Sequence, residues 1–132
     1  MLKKSLIFAA CLAATGAVSA TDLVIATVNN RQMVEMQKLS KFFEQANPDI
    51  KLKWLVLEEN TLRARVTTDI ATKGGQFDVM TIGMYETPIW GKKGWLKEIK
   101  PDAAYDIDDV LPPIRAGLSV EGKLYAAPFY GE

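Results

Sequence analysis

An α/β fold with a mostly parallel, doubly wound sheet is predicted by three observations. Short apolar, β-branched runs alternate with segments of helical period, the connections between them are only a few residues long, and no internal repeat or low-complexity segment interrupts the pattern. Strand, helix and strand joined by short connections run the strands parallel through right-handed crossovers.

The first strand is predicted over Leu23 to Val28, a β-branched run closed by Asn29 and Asn30. Asn30 is expected to cap a helix to about Ala46, with Met33, Met36, Leu39, Phe43 and Ala46 on the face that packs on the sheet and Asn47-Pro48 as its stop. Ile50 to Leu57 is a second strand, and Lys51 and Lys53 place it near an edge. Asn60 or Thr61 opens a second helix in which Leu62, Val66 and Ile70 recur every four residues, and Gly74-Gly75 supplies its left-handed exit. Phe77 to Ile82 is the third strand.

Beyond Gly83 the pattern changes. Thr87-Pro88 starts a short helix to Lys92 that holds Ile89 and Trp90 before Gly91 and Gly94 break it, and Trp95, Leu96 and Ile99 return to the core. Asp108 or Asp109 is expected to cap a helix through Leu118, with Pro112 or Pro113 in its first turn. Glu121-Gly122 is a hairpin turn into Lys123 to Phe129, a strand leaving the domain, and Pro128 keeps that run off a central ladder position.

Ahead of these elements, residues 1–20 carry the marks of an export signal: Lys3 and Lys4, an apolar run from Leu6 to Val18, and small residues at Val18-Ser19-Ala20. Cleavage after Ala20 is expected. The apolar run is shorter than the roughly 18 to 20 residues that cross a bilayer. The single cysteine, Cys11, lies within this segment, so the mature chain is expected to hold no thiol or disulfide; acylation of Cys11 is the lesser alternative. Without Lys3 and Lys4 the 16 basic residues become 14 against 16 acidic ones, a net charge near −2 that offers nucleic acid no basic field. Because the chain stops at Tyr130-Gly131-Glu132, straight after an apolar strand-like run, it is expected to be the first part of a longer polypeptide.

The available chemistry is that of binding. No histidine is present, which removes the imidazole ligand and the commonest general base, and the mature chain has no cysteine nucleophile. Glu58-Glu59 and Asp108-Asp109 suit helix starts better than acid–base work, and Gly74-Gly75 lacks the Gly-Lys-Ser/Thr core of a phosphate loop. No cofactor or metal is expected. What remains is a set of polar and aromatic residues where parallel strands end, the place where open α/β sheets bind ligands. Asn29 and Asn30 follow the first strand with amide groups suited to hydroxyls, although turn formation and capping explain them equally well. Tyr85 and Glu86 follow the third strand. Trp90 is the better candidate for an apolar platform against a sugar or polyol, and Trp95 the better core candidate.

These stretches resemble a known family. TDLVIATVNN, KFFEQANPDI, EENTLRARVTTDIATKGGQFDVMTIGMYETPIWGKKGWLKEI and GLSVEGKLYAAPFYGE are similar to the extracellular solute-binding proteins, family 1, of carbohydrate ABC importers, and most to their sorbitol/mannitol-type branch. ATKGGQFDVMTIG and KLYAAPFYGE are the most specific. The resemblance implies a periplasmic-binding-protein-like lobe over residues 21–132, cut near the first hinge crossover, belonging to a two-lobed clamshell that closes around its solute. It implies a periplasmic protein that binds a small polyol or sugar, works with permease subunits of an inner-membrane ABC importer, and performs no catalysis. Carried over onto this sequence, the ligand-contacting positions are Asn29, Asn30, Tyr85 and Glu132, with Glu132 accepting from two vicinal hydroxyls.

Two other classes compete with this one. A secreted carbohydrate-active enzyme would need catalytic acids from further residues, and a sensory receptor lobe would need a membrane span of about 20 apolar residues downstream.

Overall fold

The structure, a computed structural model, describes residues 20–130. The export signal, Cys11 and Glu132 lie outside the described residues. Three parallel strands, β1 (Thr21–Val28), β2 (Ile50–Leu57) and β3 (Val79–Met80), form a sheet in the order β2-β1-β3. Helix α1 (Arg31–Ala46) links β1 to β2, and α2 (Glu59–Thr72) carries the chain past β1 to β3. Helices α3 (Glu86–Lys92) and α4 (Pro112–Gly117), with two 3-10 turns between them, lead to a hairpin of β4 (Ser119–Val120) and β5 (Lys123–Leu124).

Strand periodicity explains the layering. Successive side chains of β1 point to opposite faces. Ala26 faces Leu62 and Val66 of α2 and Trp90 of α3, which form the buried core with it. Ile25, one residue earlier, is in register with Trp54, whose indole N–H donates to Ser40 Oγ of α1 at 2.8 Å. The helices therefore cover both faces, as a doubly wound sheet requires. β2 has no neighbour beyond β1 among the described strands, so it is an edge, as its lysines predicted.

Helix α1 departs from the expected packing. Met33 is buried, but Leu39, Phe42 and Phe43 are exposed. The sheet-facing side holds Ser40 and Glu44 instead. Glu44 accepts from the Leu52 amide at 2.8 Å, a partner that an edge strand lacks in the ladder. Polar anchoring of β2 thus sets the rotation of α1 and turns its phenylalanines outward.

Several ends also differ from the sequence expectation. Helix α2 begins at Glu59 with Glu58 as its cap, whose carboxylate accepts from the Thr61 amide at 3.1 Å, rather than at Asn60 or Thr61. Its left-handed exit starts at Lys73, φ 54°, with Gly75 at φ 66°. The loop after it is held by the buried Asp69, whose carboxylate accepts from the Gln76 amide at 3.0 Å. β3 is only two residues long, although Asp78 and Thr81 add amide bonds to Val24 and Ala26 on either side. Neither Asp108 nor Asp109 caps α4: Val110 is extended, Leu111 has ψ 129°, the non-helical value that the following Pro112 favours, and Asp108 pairs with Arg115 instead. The hairpin turn falls at Glu121-Gly122 as expected, with φ 51° and 78°, the paired positive values of a type I′ turn. β5 is much shorter than the run to Phe129.

Candidate functional site

From β1 the chain turns to one side, through α1 to β2, and from β2 it crosses to the other side to reach β3. The carboxyl ends of β1 and β3 therefore lie side by side where the topology switches direction, which is where open parallel sheets leave a crevice. Asn29 and Asn30 follow the first of these ends, and Gly83, Met84 and Tyr85 follow the second.

Asn29 is exposed. Asn30 is the N-cap of α1, its Oδ1 accepting from the Met33 amide at 2.9 Å. Its Nδ2 donates to the phenol oxygen of Tyr130 at 2.7 Å. One carboxamide thus starts a helix and holds the far end of the described chain, so the capping expected of Asn30 is present.

The loop after β3 is splayed between two helices. Tyr85 is 57% exposed, with the Arg63 guanidinium 5.2 Å from its ring centroid. Gly83 makes room for that ring, since a Cβ there would sit 2.6 Å from Tyr85 Cε1. Met84 lies against Gly117 of α4, where an added Cβ would meet its sulfur at 2.7 Å. Beneath the loop, the buried Glu86 accepts from the Gly83 amide at 2.8 Å and faces Arg63 Nε at 3.4 Å. Arg63 is itself tied to Glu59 at 2.6 Å. A buried carboxylate needs such compensation, and here it fixes the backbone that presents Tyr85.

Trp90 requires a correction. It is 6% exposed and belongs to the core with Ala26, Leu62 and Val66, so it offers no platform to a ligand. Helix α3 starts two residues before the proline-based expectation, and Glu86, Thr87, Trp90 and Gly91 share its inward face at helical spacing. Ile89 is exposed instead. Trp95 packs against the same core, its ring centroid 6.1 Å from that of Trp90. Gly91 does not break the helix: it is buried, and a Cβ there would sit 3.0 Å from Val120 Cγ2 and 3.2 Å from the Tyr125 ring.

Tyr130 is the residue that sequence reasoning missed. It follows directly on Lys123 to Phe129, the run expected to leave the domain as a strand, and nothing local in PFYGE signals a partner 100 residues upstream. Arg63, on an exposed helix face by pattern, carries no signal either. An open groove of about 890 Å³ lies elsewhere, between the β4–β5 hairpin and residues 98–116, and contains none of the predicted site residues. Among the described residues, no group of three or more His, Cys, Asp or Glu is placed to hold a metal ion, and no helix is long and apolar enough to cross a membrane.

A mannitol-binding protein of Pseudomonas aeruginosa is 60% identical over 131 residues, which is 98% of this chain and 30% of that protein. A crystal structure of an ABC transporter solute-binding protein from Agrobacterium vitis with bound D-mannitol matches with a TM-score of 0.79 at 62% identity, covering 83% of this chain and 27% of that one. Another, from Agrobacterium radiobacter in complex with ribitol, matches with a TM-score of 0.75 at 27% identity, covering 85% and 29%. The chain therefore spans under a third of the length of these relatives. Residues 27–132 match the bacterial extracellular solute-binding proteins, and with the doubly wound sheet and its polar switch point this match places the chain in that family.

Proposed function

We propose that this chain is the first part of a periplasmic solute-binding protein that delivers a sugar alcohol, of the mannitol and sorbitol kind, to an ABC importer. The observation that carries this is the identity of 60% to a mannitol-binding protein over 98% of this chain and of 62% to a structure with D-mannitol bound. Residues 1–20 would be the export signal, and residues 21–132 the start of the first lobe, ending near the crossover to the second.

The site chemistry suits this role. Asn29, Asn30 and Tyr85 carry neutral hydrogen-bonding groups, which match the hydroxyls of an uncharged solute, and Glu132 would add a carboxylate able to accept from two of them. In the described lobe Asn29 and Tyr85 are exposed. A facing lobe is needed to bury the solute, and its closure would create the shape that the permease subunits recognise. Release of an unaltered solute needs no bond-making group, so the protein is proposed not to be an enzyme.

Calorimetry of the full-length protein with D-mannitol, sorbitol, arabitol, ribitol and common sugars tests the proposal. Binding of at least one polyol, recovered chemically unchanged, is the expected result. Absence of binding to every polyol, or conversion of one, overturns it.

A further inference from the structure

The bond between Asn30 and Tyr130 has a fixed polarity. Asn30 Oδ1 is held by the Met33 amide at 2.9 Å, so the carboxamide cannot flip without losing the cap of α1. Its Nδ2 is then the group that meets Tyr130, at 2.7 Å, and an amide nitrogen only donates. The phenol oxygen is the acceptor, and its own proton points elsewhere. Among the described residues no acceptor takes that proton. The ring is held in place: it is half-buried, and Phe129 packs edge-on against it with centroids 5.5 Å apart at 87°.

We propose that Tyr130 is a specificity-determining residue of this lobe, its hydroxyl donating to one hydroxyl oxygen of the bound polyol. The inference rests on the polyol-binding function proposed above. A polyol hydroxyl accepts as readily as it donates, so it satisfies a group with only a proton to offer. A hydrogen or a protonated amine at the same carbon does not: the first leaves the phenol proton unpaired, and the second sets donor against donor. Tyr130 thereby selects for a hydroxyl at one position of the solute, and Asn30 acts on specificity through it.

The test uses the full-length protein, D-mannitol and the monodeoxy-D-mannitols, with affinity read by calorimetry and stability by thermal unfolding. Tyr130→Phe removes the proton and keeps the ring, and is expected to weaken D-mannitol binding about 5- to 20-fold. One monodeoxy compound is expected to bind the wild type correspondingly weakly yet bind the Tyr130→Phe variant no worse than D-mannitol does. Asn30→Asp keeps the cap but turns the phenol proton toward the new carboxylate, and is expected to weaken D-mannitol binding to a similar degree with Tyr130 still present. Two results overturn the inference while leaving the proposed function standing: affinity within twofold of wild type in both variants, or a loss in Tyr130→Phe with every deoxy penalty unchanged. Wild-type protein that binds no polyol overturns the proposed function and this inference with it.

Discussion

Asn30 Nδ2 lies 2.7 Å from Tyr130 Oη, a contact that joins the end of the first strand to a residue 100 positions later. The same side chain caps α1, so removing it has two separable effects. Asn30→Ala is expected to lower stability by about 1–2 kcal/mol, whereas Asn30→Asp, which keeps the cap, should stay within about 0.5 kcal/mol of wild type. Denaturant unfolding of both variants in the full-length protein checks this, and equal losses would count against a capping role.

Arg63 compensates a buried carboxylate and stacks beside Tyr85. Arg63→Met should cost about 1–2 kcal/mol, less than the loss of a fully buried partner, because the guanidinium side chain is 40% exposed and Glu86 keeps the Gly83 amide. Adding Glu86→Gln to Arg63→Met should recover part of that loss, since the stranded charge is gone. A double-mutant cycle by chemical denaturation measures the coupling, and strict additivity would remove the argument.

Trp90 is core. Trp90→Ala is expected to destabilise by about 3–5 kcal/mol, while the milder Trp90→Phe lowers the unfolding temperature and leaves polyol affinity unchanged. An affinity loss in Trp90→Phe at constant unfolding temperature would restore the ring to the site.

Gly91 sits in a helix, where alanine ordinarily stabilises by about 1 kcal/mol. Here the added methyl meets the buried Val120 at 3.0 Å, so Gly91→Ala is expected to destabilise. The exposed turn glycine Gly122, φ 78°, should tolerate asparagine better than alanine. Thermal unfolding of the three variants gives the order directly.

Acid should loosen the fold below a definite pH. The Leu52 amide, and secondarily the Lys51 charge, hold the Glu44 carboxyl below its ordinary 4.5 against the opposing effect of desolvation. The Asn60 and Thr61 amides do the same for Glu58. A carboxylate with a lowered folded-state value contributes stability above its unfolded value and loses it as pH falls through the folded one. Unfolding temperature should therefore be flat from pH 7 to about 5.5 and fall below about 4.5, and Glu44→Gln should flatten that fall.

Much of the scaffold was legible from local pattern. The β2 bounds, its edge position, the Asn30 cap and the Glu121-Gly122 turn all depend on residues close together in the chain, where period, capping and backbone sterics act. Alternation gave parallel strands; the order β2-β1-β3, which sets the ends of β1 and β3 side by side, came from the structure.

Amino-acid order by itself determined that the strands run parallel, where the first three helices start within a residue or two, and that polar residues follow the ends of the first and third strands. Tertiary structure decided which way each helix faces. Ser40 and Glu44 satisfy the edge strand and turn Phe42 and Phe43 outward, Glu86 and Trp90 share the buried face of α3, and Asn30 finds Tyr130 across 100 residues. These outcomes turn on buried polar groups that must be paired, and the partner of such a group is fixed by proximity in space, which periodicity along the chain does not encode.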